Sequence, residues 1–355
     1  MSMFRRGLML AASQTKKESP IYGVKWVNDT TTTMTRTDDS IWFSYKKNND
    51  NGSISSDFND VFPWNEAKKE TLDAGEFLHM PDMYFRIGVD ENGDINSVAV
   101  SNKAHEIGDW YKVNSFYYGL YGASENADKL ASLPGKDRLA NVTRGDFRTK
   151  ARTTGLNYFQ LDLYHKTVMT FLWWIEWATK NSANIMTGNT ESGGYRQTGG
   201  TDEVSTPSGF NTTTEQMRYH YIEDFVGNYY EFIDGVSGNT DSKVWVSNNP
   251  DDYADTNGPA NYKQLAYATS GSECIKAFGW DADNPFLCYY SKASGDSYTQ
   301  GFCDYGFLVN SSRPVMHSGS HNTSAYYGLC YCGNYGASGT SSNIGGRLLC
   351  VEPTQ

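Results

Sequence analysis

The sequence predicts an α+β protein, on three observations: two hairpin signals in its first hundred residues, one long helical periodicity near its middle, and a glycine-, serine- and asparagine-rich remainder broken by short aromatic runs. After a lead-in that ends at Pro20, Ile21-Tyr-Gly-Val-Lys-Trp26 reads as the first strand. Asn48-Asn-Asp-Asn-Gly52 is a turn between Trp42-Phe-Ser-Tyr45 and the segment beginning at Phe58. A second hairpin is expected from Met83 to Val89, through Asp90-Glu-Asn-Gly93, and back from Ile95 to Val100. From these signals a small β-rich module is expected over residues 1–57, ahead of a larger domain over 58–355.

The helix is expected over Asp162 to Asn181. Val168, Phe171, Leu172, Ile175 and Ala178 recur on one face, and Met169, Trp173 and Trp177 add a second apolar stripe, so the helix is read as buried. A shorter helix is expected over Thr214 to Asp224, and the basic cluster Arg144 to Arg152 is read as a solvated face. Beyond these the chain is long and irregular, which inside a compact domain points to functional loops on a scaffold.

Composition narrows the function. With 25 Tyr, 17 Phe and 9 Trp among 355 residues and only a fifth of the chain charged, the protein can bury large amphipathic rings and is not extended disorder. A net charge of −11 argues against a nucleic-acid or anionic-membrane partner. No window holds the eighteen or so apolar residues of a membrane span, so membrane insertion is not expected. Met1 to Ser13 imitates a signal peptide, but its apolar run is interrupted and short, and it is read as uncleaved. All six cysteines fall between Cys274 and Cys350, unlike the spread of a disulfide-stapled domain.

No phosphate loop, nucleophile elbow, zinc helix or dinucleotide fingerprint occurs. His317, His321, Cys330 and Cys332 offer metal-ligand types, but the cysteines are two positions apart, closer than zinc sites use, and neither a metal nor a cofactor is assigned. Glu223, Asp224, Glu231 and Asp234 are expected to cap turns and pair locally. The most telling stretch runs from Arg313 to Leu348, crowded with Tyr, Ser, Gly, Asn and His. Antibody paratopes use this composition, because Tyr offers a rigid apolar face and a hydroxyl at the cost of two rotatable bonds.

Gly227-Asn-Tyr-Tyr-Glu-Phe-Ile-Asp-Gly235 reads physically as a glycine turn feeding an aromatic strand, with Asn228 and Glu231 able to satisfy buried backbone groups. It also resembles the Gly-Asn-x-Trp-Glu-Trp signature of the formylglycine-generating-enzyme type of C-type lectin fold, with Tyr230 and Phe232 in the two Trp positions. Ser318-Gly-Ser-His321 and Ile344-Gly-Gly-Arg-Leu348 resemble that family's closing turn and strand. Tyr22-Gly-Val-Lys-Trp26, Thr35-Arg36, Phe62-Pro-Trp64 and Leu172 to Ser182 extend the likeness to the variable proteins of diversity-generating retroelements, especially phage tail and bacterial surface proteins.

That resemblance implies a C-type lectin domain, no enzymatic activity, and a hypervariable surface at about 313–348. In such proteins adenine-directed copying errors rewrite chosen codons, typically Asn codons ending in a pyrimidine, which cannot become Lys, Glu, Gln, Met or Trp. None of these five occurs from His317 to Asn343. The ligand-contacting residues implied are Ser320, His321, Asn322, Tyr326, Tyr327, Tyr331, Asn334 and Tyr335. Also implied are a host cell-surface protein or glycan as ligand, other phage tail proteins as partners, a homotrimer, and a place at the tail tip of a virion, or else on a bacterial surface. A phage structural or carbohydrate-binding adhesin of fixed sequence is the alternative. An oxidase of the formylglycine-generating type is a further one, disfavoured because that enzyme spaces its two C-terminal cysteines more widely than Cys330 and Cys332 and carries an aromatic where His321 stands.

Overall fold

The computed structural model describes residues 19–190, 194–238, 242–256, 260–295, 299–306, 314–317, 328–329, 333–334 and 339–352, with 314–317 and 333–334 described as backbone. Its described part is mainly β, which corrects the α+β expectation. Short strands dominate, and the α-helices among the described residues are two, α1 (Arg144–Thr154) and α2 (Leu163–Trp177). The physical reason lies in the irregular half of the sequence. Its glycines and aromatic runs pair as strands of two to nine residues, too short and too often interrupted for periodicity to reveal.

The second expected hairpin forms as read, and the first forms across its expected turn but returns over Ser53–Ser56, before the segment beginning at Phe58. Tyr45–Lys47 pairs with Ser53–Ser56 across the asparagine-rich turn, and Met83–Val89 pairs with Ile95–Ser101 across the Asp90–Gly93 turn. Strands before residue 57 bond to strands after it: Tyr22–Lys25 lies against Ile95–Ser101, and Ser53–Ser56 against Ser208–Phe210.

Helix α2 sits where three sheets meet. Asp162 caps its start by accepting from the His165 backbone N–H at 2.9 Å. Phe171 packs on Phe85 of the first sheet at 6.1 Å between ring centres, Trp173 on Tyr219 of another at 4.9 Å, and Trp174 on Phe278 of a third at 5.5 Å. Trp173 and Trp177 are buried, as their stripe predicts, and Trp174, which belonged to neither predicted stripe, is buried with them. The helix ends at Ala178, whose φ of 51° and ψ of 40° place it in the left-handed region. Arg36 donates to the carbonyls of Ile175 and Glu176, meeting acceptors the helix end leaves open. Among the described residues no helix is long and apolar enough to cross a membrane.

Two further expectations are corrected. Thr214 to Asp224 is a tight hairpin of Met217–Tyr219 and Ile222–Glu223. Glu215, His220, Tyr221 and Asp224 have positive φ, which no right-handed helix accommodates. Arg144 to Arg152 forms most of α1, whose first residue is buried inside the protein.

Candidate binding face and its buried support

The candidate face hangs on strand Tyr230–Gly238. On one edge this strand pairs antiparallel with Pro314–His317, placing Glu231 opposite His317. On the other it pairs parallel with Ile344–Gly345, placing Glu231 opposite Gly345. Residues 318–343 therefore leave and rejoin the same strand at the same position. Between these ends Gly333–Asn334 pairs with Pro314–His317, with Val315 opposite Asn334.

An internal anchor lies at Gly328 and Leu329, both buried. The Ser182 hydroxyl accepts from the Leu329 N–H at 3.3 Å. A β-carbon on Gly328 would lie 2.1 Å from that hydroxyl and 2.3 Å from Asp304 Oδ1, so any side chain there must displace the Ser182 and Asp304 side chains and with them the Leu329 anchor. At the far end, the Asn343 carbonyl accepts from the Tyr230 N–H at 2.9 Å, and Tyr195 donates its hydroxyl to the Asn343 side chain.

Of the sequence-chosen contact residues, Ser320, His321, Asn322, Tyr326, Tyr327, Tyr331 and Tyr335 lie outside the described residues, and Asn334 is placed as backbone in its short strand. Cys330, Cys332 and the side chain of His317 likewise lie outside. Among the described residues no group of three or more His, Cys, Asp and Glu is arranged to hold a metal. Cys274, Cys288, Cys303 and Cys350 are buried, and burial pushes the Cys350 thiol up to about 11 and holds Cys303 at about 12.

Beneath the face is a buried charge network that sequence reading located but did not connect. Glu231 takes Arg347 Nη2 at 2.8 Å and Nε at 3.1 Å, and also pairs with Arg138. Arg347 spends its remaining N–H groups on the carbonyls of Gly119, Leu120, Glu223 and Asp224. Both partners are essentially unexposed, so each charge depends on the other. Asn228, in the left-handed region at φ 67°, accepts from the Arg196 N–H and donates to the Arg196 carbonyl, both at 3.0 Å. That is the backbone-satisfying role its place in the motif suggested.

Glu223 and Asp224 are also buried, in adjacent positions. Glu223 accepts from the N–H groups of Gly199 and Thr201 at 2.8 and 2.9 Å. Burial, and then the charge of Asp224, push Glu223 up to about 8. Burial pushes Asp224 up as well, against the opposing pull of Arg138 and of hydrogen bonds from Asn228 and Gln216. Asp234 lies in a second cluster, where Arg148 grips it bidentately at 2.6 and 2.8 Å. Glu231 and Asp234 are paired, but with arginines distant in the chain, 116 residues away for Arg347 and 86 for Arg148, and not locally as expected.

No protein-family profile matches the chain, and no curated protein matches it by sequence. Among solved structures it is similar to PvdO from Pseudomonas aeruginosa, at 12% identity and a TM-score of 0.33, over 80% of this chain and 98% of that one. It is similar also to a Major Tropism Determinant I1 variant, at 13% identity and a TM-score of 0.20, over 90% of this chain and 91% of that one. At scores this low neither likeness bears on what the chain does.

Proposed function

We propose that this chain is a receptor-binding protein that displays a changeable C-terminal surface, residues 313–348, on a fixed scaffold, and that it serves at a phage tail tip. One observation carries the reading. The two ends of the Tyr-, Ser- and Asn-rich segment are bonded to opposite edges of one strand at Glu231, above the buried Arg347–Glu231–Arg138 pairing. Side chains between those anchors, apart from the buried Gly328 and Leu329, can change while the contacts that hold the scaffold stay. The absence of Lys, Glu, Gln, Met and Trp from His317 to Asn343 fits diversification by adenine-directed errors.

The work is recognition without chemistry. Tyr326, Tyr327, Tyr331 and Tyr335 are its aromatic anchors, and such residues at the centre of a patch carry most of the binding energy. The ligand is a host cell-surface protein or glycan. Assembly as a homotrimer would multiply a modest contact by about 10² to 10⁴ in avidity. The test is adsorption of the purified protein to host cells. Tyr326→Ala combined with Tyr327→Ala should weaken adsorption by about tenfold or more while the melting temperature holds. Unchanged adsorption with both tyrosines gone would remove the segment from the binding surface.

A further inference from the structure

The stretch Met1 to Ser13, which imitates a signal peptide, has no part in the receptor-binding reading, and residues 1–18 lie outside the described residues. In a chain of net charge −11 this segment is out of character. It carries Arg5, Arg6, Lys16 and Lys17 against a single acid, Glu18, and its Phe4, Leu8, Met9 and Leu10 are large and apolar.

The described chain begins beside a surface that matches it. The Ile21 N–H donates to the Asp39 side chain at 2.8 Å, and the Ile21 carbonyl accepts from the Asp39 N–H at 2.8 Å. Asp39 leads into a tight turn in which the Ser40 carbonyl accepts from the Phe43 N–H at 2.9 Å, so Ile41 and Trp42 take the two central positions. Turns ordinarily place Gly, Pro, Asn, Asp or Ser there. Here both side chains are apolar and open to water, Ile41 at 52% and Trp42 at 86% exposure.

The turn is firmly supported. Ser40 is fully buried, donates its hydroxyl to the Thr37 carbonyl at 2.8 Å and accepts from the Gly23 N–H at 3.3 Å. Phe43 packs on Phe58 and Tyr22, with ring centres 4.9 and 5.5 Å away. A Trp presented on a fixed support binds at low ordering cost, and Trp is among the residues that dominate contact energies. Two exposed carboxylates flank the turn: Asp39 at its start, and Asp57, which accepts from the Ser44 N–H at 2.7 Å.

Apolar surface, charge and reach point to one occupant. Residues 11–18 span up to about 26 Å when extended, enough to bring residues 4–10 back over a turn that Ile21 already touches. Such a tether gives an effective concentration of about millimolar, ahead of a free partner. The neighbouring open edge, Tyr45–Lys47, carries Lys46 and Lys47, which discourage strand addition by another chain.

We propose that residues 4–10 form an intramolecular clasp, with Phe4, Leu8, Met9 and Leu10 covering Ile41 and Trp42 while Arg5 and Arg6 meet Asp39 and Asp57. The clasp stands apart from segment 313–348 and does not rest on its assignment.

The test is hydrogen exchange read by mass spectrometry on the full chain. Amides of residues 4–10 should exchange at least about tenfold more slowly in the unmodified protein than in Trp42→Asp. Arg5→Glu combined with Arg6→Glu should lose the same protection, with melting temperatures of both variants within a few degrees of the parent. The Tyr326→Ala/Tyr327→Ala protein should keep the protection. A photoreactive benzoylphenylalanine in place of Leu8 should cross-link to the peptide holding Ile41 and Trp42 in the same chain, told from a second copy by mixing isotope-labelled and unlabelled protein. Unprotected exchange of residues 4–10, protection that survives Trp42→Asp, or cross-links to a second copy or to another part of the chain would each overturn the proposal.

Discussion

At the scale of single residues, the molecule rests on a few side chains that carry charge or strain into the interior. Glu231 holds two guanidiniums that have no access to water, so Glu231→Ala leaves Arg347 and Arg138 buried without their direct ion-pair partner, with the charge of Asp224 as the remaining counterweight. The expected loss is about 3–5 kcal/mol in urea unfolding, the range for breaking a buried pair from one side. A loss below about 1 kcal/mol, the size seen for exposed pairs, would mean that the guanidiniums find other partners or water. Ala178 gives the opposite sign. It ends α2 in the left-handed region, where a β-carbon costs about 1–2 kcal/mol, while a glycine frees the unfolded chain by about 0.4–1 kcal/mol. Ala178→Gly should therefore raise stability by about 0.5–1 kcal/mol, read as a higher urea midpoint with an unchanged slope.

At the scale of elements, the sequence reading succeeded where a signal was local and failed where the partner was distant. The buried helix was legible because its apolar stripes repeat within fifteen residues, and the two early hairpins because their turns are asparagine- and glycine-rich. Helix α1 was missed although it begins with a capping box, Thr143 with Asp146. Its charges looked like a solvated face because Asp234 and Asp255, which bind Arg148, lie far along the chain. The Met217–Glu223 hairpin was mistaken for a helix because its turn is His-Tyr, which gives no turn signal. The same hairpin brings Glu223 and Asp224 inside, with a consequence for pH. An unfolded Glu223 releases its proton near 4.5, whereas the native chain holds it to about 8. Over that window the native state binds more protons, so stability falls as pH rises from 4.5 to about 8 and levels beyond it. Asp224→Asn removes the neighbouring charge that helps raise Glu223, and should flatten that slope in urea midpoints measured at pH 5, 6.5 and 8.

At the scale of the whole molecule, sheets gathered around one buried helix support a segment whose composition differs from the rest of the chain. The composition was legible in the sequence. The segment's support was not, because Arg347 and Glu231 are 116 residues apart and only the fold joins them. Nor was the anchor at Gly328 and Leu329, which the sequence reading left inside an undivided variable stretch. This anchor separates positions free to change from positions that are not. Gly328→Asp should unfold or strongly destabilise the protein, whereas substitutions at Ser320, Asn322 or Tyr335 should leave its melting temperature within a few degrees. The central claim, a fixed scaffold carrying a rewritten surface, is tested most directly by sequencing the genomic DNA around the gene. The account predicts a near-copy of the codons for residues 313–348 beside a reverse-transcriptase gene, with mismatches confined to adenines of the copy and sparing the codons of Gly328 and Leu329. The absence of any such copy, or mismatches scattered over all four bases, would contradict it and leave a tail adhesin of fixed sequence.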